Sequence, residues 1–288
     1  MIQSVRQRKK KQKNLLGMIG IISILGFAGF GFYFYDSNSD PLDVNNCSIK
    51  NGPNAVTAII FDKSQKYSTE QVTDIKTSFN LWLAGKEPNT KNRRVALDFF
   101  EEGNLIQLYV TDQKAVDTPN GLTPLAELCV PKDFQTANKW IENPEFLKED
   151  YNKFITEFST AIESLLEASE GKSPIMETFI RISNSENFQK HPNKKHNMFI
   201  VSDMLQNSDN YSHYRKGIDA TSWDTFEEKM TGTVYMRPRL NGVHWQVYYA
   251  KRSELREREL QTTKLSNFWE RFFDRGGAVK RDWVLIDG

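Results

Sequence analysis

Two apolar runs of strand length, each ending in an aspartate, constrain the fold of this chain more than any other feature. The first run is Ala55–Asp62 and the second is Asn197–Asp203. Both are rich in β-branched and aromatic residues and lack the polar alternation of a half-exposed strand, which is typical of buried parallel strands. Ligands bind at the carboxyl ends of such strands in open α/β sheets. The sequence therefore predicts an α/β fold with a candidate site at Asp62 and Asp203.

Strand-like and helix-like patterns alternate along the rest of the chain. Helical patterns begin at the capping box Ser68–Gln71 and recur near 145–170, 174–182, 223–230 and 262–274, while strand patterns recur near 94–100, 104–111, 243–250 and 282–286. This alternation predicts a doubly wound, mostly parallel sheet with helices on both faces. The pair 94–100 and 104–111, joined by a short turn, predicts one antiparallel edge strand.

The charge of the chain is concentrated at its N-terminus. Of 38 lysines and arginines, six lie in residues 1–14, which leaves 32 against 37 acidic residues in the remainder. No acidic residue occurs before Asp36. The body of the chain is therefore not a basic nucleic-acid binder, and no nucleic-acid partner is expected.

An uncharged run of 21 residues, 15–35, follows the basic tail. As a helix it would measure roughly 31 Å, which matches the apolar core of a bilayer, and it ends in an aromatic belt. It predicts a single transmembrane helix in the inner (cytoplasmic) membrane of a bacterium, with residues 1–14 cytoplasmic and residues 36–288 periplasmic or otherwise extracytoplasmic. The alternative is a cleaved signal peptide, against which the length of the run and its bulky end argue.

Two further segments follow the predicted membrane helix. Residues 36–53 are polar and turn-rich and predict a juxtamembrane stalk, and residues 54–288 predict one domain with a helical elaboration near 132–170. The chain has two cysteines, Cys47 and Cys129. Both fall on the side of the membrane where disulfides persist, so we expect them to form a bridge. The alternative is two unrelated buried thiols.

Three motifs carry a resemblance to a known family. They are Asp62-Lys-Ser64-Gln-Lys66 after the first strand, Gly171-Lys-Ser173 before a helix, and Asp203 at the end of a later strand. In this order they resemble the von Willebrand factor A (vWA) family over residues 54–287. Domains of that family carry a metal-ion-dependent adhesion site built from three loops at the carboxyl end of the sheet.

The resemblance implies that Asp62, Ser64, Ser173 and Asp203 are the ligands of a divalent cation, Mg²⁺ or Mn²⁺, with an open position for a carboxylate of a partner. All four side chains offer oxygen, which suits a hard cation. In the alternative interpretation, Ser173 is only a helix cap and both aspartates only bind loop amides.

The sequence departs from the family pattern at two positions. Lys66 stands where the family has a serine, and a charged lysine cannot ligate a metal but could put its ammonium in the metal's place. Met204 stands where a glycine often follows the strand-end aspartate. Both departures concern the metal site and leave the predicted fold unaffected.

The loop after Asp203 is a candidate partner-binding surface. It contains Tyr211, His213, Tyr214 and Arg215, and tyrosine and arginine are enriched at protein interfaces. The alternative is an ordinary solvated loop.

We therefore expect a membrane-anchored, extracytoplasmic protein-binding module that engages a protein partner or membrane complex through the rim formed by the strand ends. We expect no enzymatic activity, because the chain lacks a glycine-rich phosphate loop and a Gly-x-Ser-x-Gly elbow. One alternative is a structural subunit of a membrane assembly that packs through small residues of the apolar helix. A less favoured alternative is a metal-dependent hydrolase at the same aspartates.

Overall fold

The computed structural model describes residues 23–27, 29–30, 41–64, 66–86, 97–117, 122–135, 137, 143–166, 171–236 and 238–286. The chain divides into two compact units, residues 1–41 and 42–288. In the first unit, residues 23–27 and 29–30 are helical. The predicted cytoplasmic tail and most of the predicted membrane helix lie outside the described residues. Within the described ranges, no helix is both long enough and apolar enough to cross a bilayer.

The second unit is built on a six-stranded sheet. Strands β1 to β6 are Ala55–Asp62, Leu105–Thr111, Ala126–Cys129, Lys195–Ser202, His244–Tyr249 and Val279–Leu285. They lie in the order β3-β2-β1-β4-β5-β6. The β2–β3 pair is antiparallel, and the other four pairs are parallel. This is the order of a doubly wound α/β sheet, and it confirms the predicted fold class.

Eight helices accompany the sheet in the described part of the second unit. Helices α1 to α8 are Thr69–Leu83, Gln113–Asp117, Pro144–Leu166, Ile175–Asn184, Glu186–Gln189, Trp223–Met230, Leu255–Leu260 and Thr263–Arg275, and two 3₁₀ helices span Leu97–Phe99 and Val234–Met236. Alternate side chains of β1 enter two separate cores. Ile59 and Phe61 pack with α1 and α3, whereas Val56, Ala58 and Ile60 pack with α4, α6 and α8. The sheet is therefore covered on both faces, which explains why its central strands read as continuous apolar runs.

The start of α1 is the capping box that the sequence predicts. The Ser68 hydroxyl accepts a hydrogen bond from the Gln71 amide at 3.2 Å, and the Gln71 side chain accepts one from the Ser68 amide at 3.2 Å. Gln71 also donates to the carbonyl of Lys251 at 2.7 Å. The cap therefore anchors the segment that follows β5 as well as the helix itself.

The identity of the antiparallel edge strand corrects the sequence prediction. In the described part of the predicted strand 94–100, Leu97–Phe99 form a 3₁₀ helix, and Phe99 and Phe100 are buried in the core beside Trp82. The edge strand is instead β3, in a segment predicted as a loop. Burial of the two aromatic rings explains why the end of this segment has the apolar pattern of a strand.

The predicted disulfide is present. Cys47 and Cys129 are bonded across 82 positions of sequence. The Cys129 amide also donates to the carbonyl of Asn45 at 2.8 Å, and the Asn45 side chain donates to Glu127 at 3.0 Å. Residues 42–53, predicted as part of a stalk, therefore belong to the second unit and are fixed to its edge strand.

Candidate functional site

The carboxylate of Asp62 is the centre of a hydrogen-bond network at the carboxyl edge of the sheet. It is fully buried at the end of β1. One oxygen accepts hydrogen bonds from the hydroxyls of Ser173 at 2.9 Å and Ser202 at 2.8 Å. The other accepts from the Ser64 amide at 3.0 Å and the Thr111 hydroxyl at 3.1 Å. These charge-assisted bonds offset the cost of burying the carboxylate, and they join four segments of the chain.

A buried ion pair lies at the next strand end. Arg252, which follows β5, places its Nε 2.6 Å from Oδ2 of Asp203, and the two side chains are 3% and 1% exposed. The other Asp203 oxygen accepts from the Leu205 amide at 2.9 Å. Burial raises the pKa of Asp203 to about 6, while Arg252 acts in the opposite direction, so the carboxylate is ionised at neutral pH. Burial lowers the pKa of Arg252, but Asp203, Tyr67 and Asp62 together raise it above its ordinary value, and the guanidinium keeps its charge.

Arg252 also contacts the loop that follows β1. Its Nη1 donates to the carbonyl of Lys66 at 2.9 Å, and its Cζ lies 5.2 Å from the ring centroid of Tyr67, a cation–π distance. The Tyr67 hydroxyl in turn donates to the carbonyl of Asp62 at 2.7 Å. Arg252 therefore links the loops that carry the two predicted aspartates.

Arg252, and not Lys66, places a positive charge beside Asp203. The Lys66 side chain is exposed, and only its backbone carbonyl faces the guanidinium. The ammonium of Lys66 therefore does not occupy the metal's place, which corrects that expectation. Arg252 gives no signal in the sequence, because it lies 49 positions beyond Asp203 in a charged stretch with no motif.

Met204 keeps the backbone shape that glycine would adopt. Its φ is +60°, in the left-handed region, and its side chain is fully buried. A non-glycine residue in this region costs roughly 1–2 kcal/mol, which burial of the methionine offsets. Its carbonyl accepts from the indole of Trp269 at 2.7 Å. This hydrogen bond thus anchors the loop after β4 to α8.

The four predicted metal ligands gather at this edge of the sheet, but their arrangement does not suit a divalent cation. Asp62 already accepts four hydrogen bonds, and Asp203 is bound to the guanidinium of Arg252. A cation placed here would meet the charge of Arg252. Over the described residues, no group of three or more His, Cys, Asp or Glu side chains could hold a metal. Binding of Mg²⁺ or Mn²⁺ stays a prediction that these contacts do not favour.

A cleft of about 340 Å³ opens at the same edge. It shares Ser64 and Ser173 with the Asp62 network, so a ligand in the cleft would lie beside that network. Its other lining residues come from the loops before α4 and after β4 and from α7: Gly171, Leu205, Asn207, Tyr214, Arg256 and Glu257. The guanidinium of Arg256 lies over the Tyr214 ring, 4.8 Å from its centroid.

The predicted partner-binding loop is divided between surface and core. Tyr214 lines the cleft and is half-buried, and Arg215 is exposed. Tyr211 and His213 are buried instead, with the Tyr211 ring 5.0 Å from Phe226. Their burial excludes both side chains from a surface contact, which corrects that part of the predicted recognition surface.

Hydrogen bonds to a buried carboxylate hold the same loop against α4, and the sequence does not predict this role. Glu177 accepts from the Ser208 hydroxyl at 2.6 Å and from the Gln206 side chain at 2.8 Å. Gln206 accepts from the Met176 amide at 2.9 Å. A glutamate in the first turn of a helix carries no sequence signal for such a role, because its partners lie some 30 positions away.

Burial of His213 predicts a loss of stability in mild acid. Its Nδ1 accepts from the Gln206 amide at 3.2 Å, and its Nε2 is buried without a hydrogen-bond partner among the described residues. Burial lowers the pKa of His213 to about 3. Below pH 6.5 the unfolded chain therefore binds a proton that the folded protein does not, and the free energy of unfolding falls as the pH falls toward 3.

Between pH 7.5 and 5.5, protonation of His213 in the unfolded chain lowers the free energy of unfolding by about 1.4 kcal/mol. We expect urea unfolding to show the wild type losing that much more than the His213→Asn variant, which keeps an acceptor. Asp203 is present in both proteins, so its opposite contribution cancels. Equal changes in the two proteins would contradict a neutral buried His213.

No protein-family model matches the chain, and no curated protein matches it. Solved structures do match it, and the three that follow do so at low similarity. The VWA domain of SpRpn10 shares 9% identity, over 81% of this chain and 89% of that one, with a TM-score of 0.38. An aerotolerance-related membrane protein from Bacteroides fragilis shares 10%, over 81% and 92%, at 0.37. The pilus adhesin SpaC from Lactobacillus rhamnosus GG shares 9%, over 81% and 28%, at 0.39.

The fold agrees with the resemblance to the vWA family in its sheet order and in the position of its loops. The sheet order places β1 and β4 side by side, and the three loops that carry the family motifs meet at their carboxyl ends, as the resemblance implies. At identities of 9–10% and TM-scores below 0.4, the solved structures add no argument about what this chain binds.

Proposed function

We propose that this protein is a binding module that engages a protein partner through the strand-end rim. The observation that carries the proposal is the polar cleft beside the Asp62 network, built from loops that the network holds in place. The described residues that line the cleft include no histidine or cysteine. The hydroxyl of Ser173 donates to a carboxylate that already has three other donors, so it is not activated as a nucleophile would be. Binding is favoured over catalysis on this ground.

The lining of the cleft defines the chemistry of its partner. The hydroxyls of Ser64 and Ser173 and the amide of Asn207 can both donate and accept, while Arg256 and Glu257 contribute one charge of each sign. Such a surface suits a polar or charged side chain of a partner, with Tyr214 and Arg256 as the residue types that contribute most to interface energies.

We expect a rim variant, Tyr214→Ala combined with Arg256→Ala, to reduce partner capture at least about tenfold, because two interface side chains of these types are lost. The measurement is photo-cross-linking from residue 207 in the full chain within its native membrane, followed by identification of the captured protein. Glu228→Ala combined with Lys229→Ala is the matched control, since both side chains are exposed on α6. Undiminished capture by a folded rim variant would contradict the proposal.

We also propose that the rim faces the extracytoplasmic side of an inner membrane in which the apolar run 15–35 is the anchor. The basic tail supports this orientation, and the Cys47–Cys129 bridge is consistent with an oxidising compartment. Alkylation of the chain taken directly from native membranes provides the test. Both thiols should be blocked until a reductant is added, and free thiols in untreated membranes would argue for the opposite side.

A further inference from the structure

We propose that the guanidinium of Arg252 is the resident cation of this site, so that partner docking at the rim needs no divalent metal ion. The statement about docking rests on the proposed function, which this assignment deepens. Its test needs no partner.

The contacts of Arg252 fix it where a shared cation would act. It binds the Asp203 carboxylate through Nε at 2.6 Å, reaches the loop of Asp62 through the Lys66 carbonyl at 2.9 Å, and faces the Tyr67 ring. Its side chain is 3% exposed, so water screens these interactions little. A planar fork with several donors suits this bridging role better than the single ammonium of a lysine.

The charges at the site point the same way. Asp62 and Asp203 are both fully buried, and the Arg252 guanidinium is paired directly with one of them. Removing the guanidinium would remove the positive charge that lies beside these two buried carboxylates. With the guanidinium in place, a divalent ion would have to displace the Nε donor of Arg252 from Asp203 or sit beside a fixed positive charge. One guanidinium nitrogen, Nη2, is buried and makes no hydrogen bond within the described part of the chain.

The other candidate cations near the cleft do not take this position. The Lys66 side chain is exposed, and Arg256 lies over the Tyr214 ring at the cleft. Lys172 is held outside by Asp209 at 2.8 Å. The assignment therefore falls on Arg252.

The test compares metal responses of the full chain purified in a mild detergent. Thermal unfolding of the wild type should not change when chelator is replaced by millimolar Mg²⁺ or Mn²⁺. Arg252→Gln leaves the buried Asp203 carboxylate without its ion-pair partner, and we expect its melting temperature to fall by roughly 10 °C. Mg²⁺ or Mn²⁺ should then raise the melting temperature of Arg252→Gln saturably, and a further Asp203→Asn substitution should abolish that rise.

Arg271→Gln is the matched control. It removes the same type of side chain from an exposed pair with Asp224 at 3.4 Å, and surface pairs of this kind contribute little. Its melting temperature should stay close to that of the wild type, without any response to metal.

Saturable stabilisation of the wild type by Mg²⁺ or Mn²⁺, lost in Asp62→Asn, would overturn the inference. A stable Arg252→Gln variant with no metal response would also overturn it. If Arg252→Gln does not fold, calorimetric titration of the wild type with Mn²⁺ decides, because one saturable site overturns the inference and none supports it. Metal binding by the wild type would contradict the role of Arg252 but would not affect the proposal that a partner docks at the rim. Undiminished capture by the rim variant would contradict the proposed function but would not affect the role of Arg252.

Discussion

Replacing Asp62 with alanine is expected to lower the free energy of unfolding by about 5 kcal/mol. The substitution removes the carboxylate that accepts from four buried donors: the hydroxyls of Ser173, Ser202 and Thr111 and the amide of Ser64. Each buried group left unsatisfied costs roughly 1–3 kcal/mol. Since a domain is stable by only about 5–15 kcal/mol, the variant should be close to unfolded at room temperature.

Urea unfolding followed by tryptophan fluorescence measures this loss. Asp62→Asn, which keeps the size and one acceptor oxygen, should fall between the wild type and Asp62→Ala. Thr111→Val is the matched control because it removes a single donor with little change of shape, and its cost should be about 1 kcal/mol. An alanine variant within about 1 kcal/mol of the wild type would show that Asp62 is not the centre that its contacts indicate.

The second large effect is expected from the disulfide. Replacing both Cys47 and Cys129 with serine opens a covalent loop with a sequence separation of 82. In the chain-entropy model this releases about 4.5 kcal/mol of constraint on the unfolded chain. The free energy of unfolding should fall by about that amount, with the segment 42–53 released from the edge strand first, because few other contacts hold it.

Reductant separates this effect from any strain introduced by the serines. Adding it to the wild type should reproduce the loss seen in the double variant, and adding it to the double variant should change nothing. A wild type whose urea midpoint is the same with and without reductant would contradict a stabilising bridge.

The central strands and their terminal aspartates could be predicted because burial on both faces leaves a local pattern. The runs before Asp62 and Asp203 are apolar at nearly every position, and both proved to be strands of the sheet. The capping box at Ser68 is equally local, since both its bonds fall within four residues. Where the physical cause lies within one turn or one strand, the amino-acid order is enough.

The features that could not be predicted from the sequence depend on contacts between distant segments. The ion pair of Arg252 with Asp203 joins two strand ends 49 positions apart, and nothing in the neighbourhood of Arg252 distinguishes it from a surface arginine. Strand β3 has only four residues, too few for a periodic pattern. The cluster of tyrosine, histidine and arginine after Asp203 predicts a recognition surface on the rim, yet Tyr211 and His213 lie in the core under α8.

The hydrogen bonds on Asp62 have a consequence for association. Donors from β2, β4 and two loops converge on one carboxylate, while Glu177 and Trp269 hold the loop after β4. The floor of the cleft is therefore preorganised, and a partner would lose little conformational entropy in ordering it. Affinity in such a site is set mainly by how well the partner's shape fits, so a near-miss ligand should dissociate quickly because the floor cannot adapt to it.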